Sequence, residues 1–462
     1  MAKTIIIDPI TRISGFLEIQ VFVEGNVIVD AKTSGLLYRG FELMLRNRSP
    51  YDSIFITERI CGICSTAHAV SAALADEDAL KISVDENNRY LRDLLHGFEI
   101  IQNHLRHFYL LSMPDYAKIT SLKIASDQGY HDFRFPDDVN LEIEKHYIES
   151  IELSRLAHEG LATLGGKAPH NHGIFVGGIT VNIDPYKLEK VHSIIQKILT
   201  FVSTSMKDDA NILAQYYSDY YEKGISYPNY MSYGLFHTYE EEDITYVKPG
   251  VLINGDLRPF NQEMITEQVQ HAWYLNDNPD AVDLKKEDAY SFIKSPHYDK
   301  LPMEVGPLAR LKISRSYNGG SSCLDRNIAR VLETEKILTI MNNIISRIRI
   351  NPTNLIKYEI PETARGIGLT DTSRGALGHW LDIQNKLIHH YNIITPSVWN
   401  LSTRSIDGLP GVVEKAIIGT TINNIEEPVE IGRIARSYDP CVSCATHLIT
   451  DSGFEKVIEM GV

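Results

Sequence analysis

The chain opens on β-branched and alternating residues and changes to helical spacing from about Leu36. Thr4–Ile7 is an isoleucine-rich run, and Phe16–Val29 alternates roughly between apolar and polar positions, broken at Glu24-Gly25-Asn26. This pattern predicts an N-terminal β segment over about 3–35 with a turn at that tripeptide. Four later stretches keep a 3.6-residue spacing over unusual length. Asn87–Met113 sets Leu91, Leu94, Leu95, Phe98, Ile101, Leu105 and Phe108 on one face. Leu141–Leu164 follows, with Asn140 expected as its N-cap and Gly165-Gly166 as its stop. Pro185–Tyr217 begins with a proline after Asp184, an expected N-cap. Leu324–Ile350 runs up to Pro352. Long helices pack lengthwise, so the expected fold is mainly α with peripheral β, built on a long-helix bundle core over about 87–350. Residues 218–310, rich in Tyr, Asp, Pro and Gly, are expected as strands and loops over that bundle, and residues 353–447 as short helices with ordered loops.

With 462 residues, 43% of them hydrophobic, the chain has ample material for a buried core. Length alone would allow roughly two to four domains. No Pro/Gly/Ser-rich linker, charge block or repeat divides it, so one interlocked unit over 1–447 is expected. The net charge of -15 excludes a phosphate-backbone binder and predicts no nucleic-acid partner. The opening MAKTIIIDP lacks a secretory apolar core, and no apolar run reaches the roughly 18 residues of a membrane span. Folding in the cytoplasm is therefore expected, with export left to a partner.

Five cysteines change the picture. Four form two Cys-x-x-Cys pairs, Cys61/Cys64 and Cys441/Cys444, at opposite ends of the chain, and Cys323 stands alone. Four thiolates suit zinc, nickel or iron, and a two-residue gap lets both sulfurs of a pair reach one metal. A self-standing zinc ribbon keeps its pairs about 15–20 residues apart, unlike these. On spacing alone a structural zinc, a catalytic or redox metal, and unrelated cysteines all stay open. If a helix starts after Cys64, His68 lies one turn above that sulfur, placed to donate it a hydrogen bond; an incidental histidine is the alternative. Asp439 and His447 flank the second pair, making a ligand-rich terminus.

These residues resemble the two signatures of [NiFe] hydrogenase large subunits. The first reads Arg39-Gly40-Phe41-Glu42, fifteen residues, then Glu58-Arg59-Ile60-Cys61-Gly62-Ile63-Cys64; the second runs from Tyr438-Asp439-Pro440-Cys441 to Cys444-Ala445-Thr446-His447, with Val442 a mild departure. Asp8-Pro9-Ile10-Thr11-Arg12, Asn103-His104, Gly165–His170, Lys294-Ser295-Pro296, Glu304–Arg310, Arg374–Trp380 and Thr395–Asn400 are similar in the same order. The resemblance implies the large-subunit fold and a nickel–iron centre carrying cyanide and carbon monoxide on iron. Cys61 and Cys441 would be terminal nickel ligands, and Cys64 and Cys444 would be shared with iron. Arg374 would sit over the open side of the centre, where a guanidinium polarises hydrogen or stabilises developing charge; Cys441 would receive the proton of heterolytic cleavage. Glu42, His447 and the Ile393 carbonyl would hold Mg2+. The implied partners are H2, a maturation endopeptidase, nickel-insertion factors and a small subunit with iron–sulfur clusters. Cys323 alone is too few for a cluster here.

Three departures stand out. Ser14 occupies the position where most of the family carries a proton-accepting glutamate; a hydroxyl relays a proton but does not store one. Asn103 stands where some members carry aspartate, leaving Asp439 as the expected carboxylate beside Arg374. Residues 448–462 follow His447 and resemble the C-terminal peptide that the family removes after metal loading. Competing readings are a quinone-binding relative, opposed by the four retained cysteines; a low-turnover hydrogen sensor with the same metal site; and a structural zinc protein. The spacing Cys64-Ser65-Thr66-Ala67-His68 resembles membrane-associated uptake enzymes, whereas the ending at His447 resembles cytoplasmic ones. The expectation leans to a membrane-associated or cell-envelope location reached through the partner, with a cytoplasmic one as alternative.

Overall fold

A computed structural model of the chain describes residues 3–120, 132–350 and 356–442. The first sheet joins β1 (Lys3–Ile7), β2 (Leu17–Glu24) and β3 (Val27–Gly35) in antiparallel order. Leu17, Ile19, Val21 and Val23 on alternate positions of β2 are buried, which fixes the register, and the turn falls at the expected tripeptide.

Two short helices follow, α1 (Phe41–Leu45) and α2 (Asp52–Thr57), then α3 (Ser65–Leu80). α3 is built almost wholly of Ser, Thr, Ala and Val over its first turns and is buried on nearly every side. α4 (Glu86–Arg106) starts on Asp85, whose side chain accepts the Asn88 N–H, and continues as a π turn over His107–Ser112. α5 (Asp137–Gly165) ends on Gly166 in the left-handed region at φ 81°. Its start differs from expectation. The helix begins after Pro136, so Asn140 lies inside the first turn and instead pairs with the Lys118 main chain through both amide groups. Proline's fixed φ already suits the entry, and the side chain is released for that tertiary contact.

The short strands β4 (Ile174–Phe175) and β5 (Gly178–Ile179) precede α6 (Pro185–Phe201), which Asp184 caps as expected. A π turn leads into α7 (Lys207–Tyr216). The next region holds β6 (Asn229–Ser232), β7 (Gly250–Ile253), β8 (Asp256–Pro259), β9 (Ile265–Gln268), β10 (Ser295–Tyr298) and α8 (Pro307–Ile313). α9 (Cys323–Ile345) opens on a capping box made by Ser322 and Asp325. α4 packs against α5 and α9, and α6 against the same two.

The largest difference from the sequence pattern lies after residue 360. Instead of short helices and loops, β11 (Thr363–Thr372), β12 (Gly375–Gln384) and β13 (Leu387–Ile394) form an antiparallel sheet, followed by α10 (Pro396–Asn400), α11 (Val412–Ile417) and α12 (Val429–Ser437). Two glycines dilute the β signal of β11, and packing explains them: a Cβ at Gly368 would meet the Ser71 main-chain O at 1.9 Å, and one at Gly366 the Ala75 O at 2.0 Å. The strand lies directly on the backbone of α3. The fold is therefore mixed α and β, with one sheet in the interior rather than only at the periphery.

Candidate metal centre

Cys61 leaves a single 3-10 turn in extended conformation, and Cys64 is the N-cap residue of α3. The Ile63 N–H donates to Cys61 Sγ at 3.3 Å, folding the tetrapeptide around that sulfur. Cys441 arrives from the other end of the chain. Its segment pairs like a parallel strand with Ser14: the Ser14 N–H donates to Pro440 O at 3.2 Å and the Val442 N–H to Ser14 O at 2.6 Å. Cys441 N–H also donates to Ser397 Oγ at 3.0 Å.

The result brings Cys61, Cys64 and Cys441 together, all buried, with their ligand atoms within 4.8 Å of one another. The Cys61 and Cys441 sulfurs are 3.4 Å apart, far beyond a disulfide bond, and none of the three cysteines is in a disulfide. Thiolates bound to one metal at about 2.3 Å stand roughly 3.8 Å from each other in a tetrahedral set, so the spacing suits a shared ion. Cys444 and His447 lie outside the described residues, as does the segment 448–462.

Arg374 is presented at the tip of the two-residue hairpin between β11 and β12. Its Nε donates to the Asp439 main-chain O at 2.8 Å and its Nη2 to Asp439 Oδ1 at 2.9 Å and Asn103 Oδ1 at 3.0 Å. Asn103 Nδ2 donates to Asp439 Oδ2 at 2.7 Å. The aspartate is thus the carboxylate partner of Arg374, and the asparagine bridges the two. Asp439 reaches this position with φ 55°, a conformation aspartate tolerates. Burial opposes the charge on Arg374, but Asp439 and then Cys441, Cys64 and Cys61 outweigh it and raise its pKa. Burial likewise pushes Asp439 up, yet Arg374 and His107 bring it down to about 2. Arg374 Nη1 is buried without a hydrogen-bond partner among the described residues. A leftover donor on a cation beside three thiols fits a centre whose remaining contents accept hydrogen bonds, so the donor set and the orphaned N–H both suit a thiolate-held metal group.

His68 lies one turn into α3, and burial lowers its pKa to about 4 against the opposing pull of Cys441. Its Nδ1 is engaged with His379 Nε2 at 3.1 Å. A second cluster lies beside the thiols. Glu42 Oε1 accepts the Ile393 N–H at 2.9 Å, so the link between these two runs through the amide of Ile393. Burial raises the Glu42 pKa, while Lys294 opposes the rise and Glu267 adds to it. These four residues line a cavity of about 50 Å3.

Pattern reading missed several groups. Glu99 accepts the Thr66 N–H at 2.5 Å and the Ala67 N–H at 2.9 Å, satisfying the free end of α3 just after Cys64. Its signal was a carboxylate set in the apolar stripe of α4. Asp115 binds Arg12 and takes a two-pronged contact from Arg436 at 2.6 and 2.7 Å, tying the loop before Ser14 to the helix before Cys441. Those partners are hundreds of residues apart in sequence and leave no local trace.

The sequence matches the family described as nickel-dependent hydrogenase over residues 39–129 and 124–447. It is 33% identical to the "Periplasmic [NiFeSe] hydrogenase large subunit" of Desulfomicrobium baculatum, covering 98% of this chain and 97% of that protein. It is 30% identical to the "Hydrogenase-2 large chain" of Escherichia coli K12, covering 99% of both. A structure of anaerobically purified Dm. baculatum [NiFeSe]-hydrogenase superposes with a TM-score of 0.92 at 32% identity, covering 97% of this chain and 100% of that one. Two of those names include selenium; this chain has cysteine at positions 61, 64, 441 and 444.

Proposed function

The chain belongs to the nickel-dependent hydrogenase family as a large subunit, and from that premise we propose that it cleaves H2 reversibly at a nickel–iron centre held by Cys61, Cys64, Cys441 and Cys444. The observation that carries this reading is the meeting of three buried thiols from opposite ends of the chain within 4.8 Å. When bound, the metal pair supplies the Lewis acidity and redox capacity that heterolytic cleavage requires, with cyanide and carbon monoxide as the non-protein ligands of iron.

The protein's own residues do the rest. Arg374, kept charged by Asp439 and oriented through Asn103, offers a fixed positive group beside the thiols, worth most where water is excluded. Cys441 accepts the proton at its sulfur. Ser14, whose main chain is bonded to the Cys441 segment, relays it onward through its hydroxyl; an unchanged rate of H/D exchange in Ser14→Ala would remove it from the path. Glu42, the Ile393 carbonyl and His447 would hold Mg2+ in the adjoining cluster. The four long helices form the bundle that frames the centre, in one unit over 1–447, and residues 448–462 are the peptide removed by a maturation endopeptidase once nickel-insertion factors have loaded the site.

Electrons leave to a small subunit carrying iron–sulfur clusters. Among the described residues no helix is long and apolar enough to cross a membrane; placement at the membrane or cell envelope follows from that partner, and the Desulfomicrobium baculatum relative is named as periplasmic. A cytoplasmic location is the alternative.

The test is the purified heterodimer's nickel and iron content, its infrared bands from iron-bound cyanide and carbon monoxide, and H2-dependent dye reduction. All three are expected, and Cys441→Ser abolishes the last. Zinc in place of nickel with no such bands would overturn the assignment. Full bands with turnover near zero would instead favour the hydrogen-sensor reading.

A further inference from the structure

A cavity of about 620 Å3 lies between α3, α4, β11 and the loop 235–238. None of its walls carries a thiol, and the proposed chemistry leaves it unused. Its volume falls in the range of small-molecule sites, roughly 300–1,000 Å3. Each wall follows from its own sequence pattern. On α4, Arg89, Arg92, Asp93 and His96 recur at the spacing of one helix face and make a polar wall. On β11, Ile367 and Leu369 alternate with the two glycines that touch α3, so their side chains project away from that contact and onto the cavity. Leu74 of α3 and Leu235 and Phe236 of the loop complete the apolar part. The cavity reaches the surface at Ser83 and Thr238, both exposed.

The polar wall has unmet hydrogen-bonding capacity. Arg89 Nε, Arg92 Nε and His96 Nε2 are buried without a hydrogen-bond partner among the described residues, and His96 is 1% exposed. A guanidinium Nε–H only donates. Buried polar groups of folded proteins are nearly always paired, so three unmet nitrogens on one wall point to an occupant that accepts hydrogen bonds. Charge narrows its class. Glu77 takes both Nη groups of Arg92, at 2.8 and 3.1 Å, and Asp78 is paired with Lys81 at 3.0 Å. That leaves Arg89 and Asp93, one turn apart on α4, whose charges cancel; Asp93 also accepts the Tyr239 Oη–H at 2.6 Å. Burial lowers His96 to about 3 and also lowers His237 of the loop wall, so both rings are neutral. The lining has no net charge to attract an ion. Water alone would meet the nitrogens but leave the apolar walls wet.

We propose that the cavity between α3, α4 and β11 is a binding site for an uncharged carbonyl compound with a mostly apolar body. The body lies against Leu235, Phe236, Ile367 and Leu369, and the carbonyl oxygen accepts from the α4 wall. The site is separate from the metal centre, and the proposal does not depend on the hydrogenase reading. Two of its walls nonetheless lead to that centre. α3 follows directly on Cys64, and β11 ends at Thr372, two residues before Arg374. An occupant that touches both elements braces them against each other.

The test uses the heterodimer, or the full-length metal-free chain if no partner co-purifies, with three probes of one shape. Benzophenone has the carbonyl, diphenylmethane has CH2 in its place, and diphenylacetate carries a charge. Irradiated benzophenone bonds to nearby C–H groups, so mass spectrometry of the peptides locates it. Adducts are expected in α3, α4, β11 or the loop 235–238, and hydrogen exchange in α3 and β11 is expected to slow when benzophenone is bound. Diphenylmethane and diphenylacetate are each expected to compete tenfold more weakly than unlabelled benzophenone. Leu369→Trp, which fills the cavity, is expected to abolish the adducts, and His96→Phe to bring benzophenone and diphenylmethane closer in affinity. If either variant fails to fold, the three probes on the wild type decide the matter alone. Adducts scattered over other surfaces, or none, would overturn the site. Equal competition by diphenylmethane would overturn carbonyl recognition, and stronger competition by diphenylacetate would show an anion site instead.

Discussion

The two arms that deliver the thiols are built on different physics. The Cys61/Cys64 arm is held by excluded volume: α3 has small side chains, β11 has glycines where the two backbones touch, and no ion pair spans that contact among the described residues. The Cys441 arm is held by paired charges: Asp115 to Arg12 and Arg436 on one side, Asp439 to Arg374 on the other. The meeting of the sulfurs thus conceals unequal vulnerability. One arm fails when volume is added, the other when a charge is removed.

The largest separation of the two is expected from Asp115→Ala. Removing the carboxylate leaves Arg12 and the buried Arg436 without their anion, and breaking a buried pair from one side costs about 3–5 kcal/mol. Chemical denaturation reads the loss, and hydrogen exchange locates it. Protection should fall first over α12 and Cys441, while α3 keeps its own. Simultaneous loss over both arms would mean that they are one cooperative unit and that the contrast has no energetic content.

Gly368→Ala is the converse and ranks next. A Cβ placed 1.9 Å from a main-chain oxygen has no flexible neighbour to displace. Overpacking of this kind costs roughly 1–3 kcal/mol or more. Exchange should quicken in α3 and β11 before α12, and nickel retention should drop with it. A variant as stable as the parent would show that α3 slides on the sheet.

What was readable in the sequence divides along the same line. Local signals gave the β2–β3 turn, the long helices, the Asp184 cap and the Cys61-x-x-Cys64 pair, because each depends on neighbours a few residues away. The hairpin presenting Arg374 was not readable. The glycines of β11 look like breakers until α3 is known to press against them, so the strand's reason lies in a helix almost 300 residues earlier. Glu99 looks like a flaw in an apolar stripe, although two main-chain N–H groups at the end of α3 require it. The joining of Ser14 to Cys441 is a backbone pairing, which side-chain patterns do not record.

The smallest effect is one of sign rather than size, and it concerns pH. Arg12 and Arg436 overcome burial and depress Asp115 from 3.8 to about 2, so its contribution to the Cys441 arm is present above pH 3.8 and is lost as pH falls through about 2. Glu99 behaves oppositely. Burial outweighs its two N–H contacts and raises it from 4.5 to about 7, so its contribution to the Cys64 arm is full below pH 4.5 and declines as pH rises through about 7. Acid therefore loosens one arm and mild alkali the other. In the metal-free chain, Glu99→Gln should leave stability within about 0.5 kcal/mol of the parent at pH 5, where the folded carboxyl is already neutral. Between pH 5 and 8 the variant should become the more stable of the two, because a glutamine has no charge to bury. A difference independent of pH would show that Glu99 stays ionised at the end of α3. The Cys64 arm would then also depend on charge, and the distinction between the arms would narrow to Gly366 and Gly368.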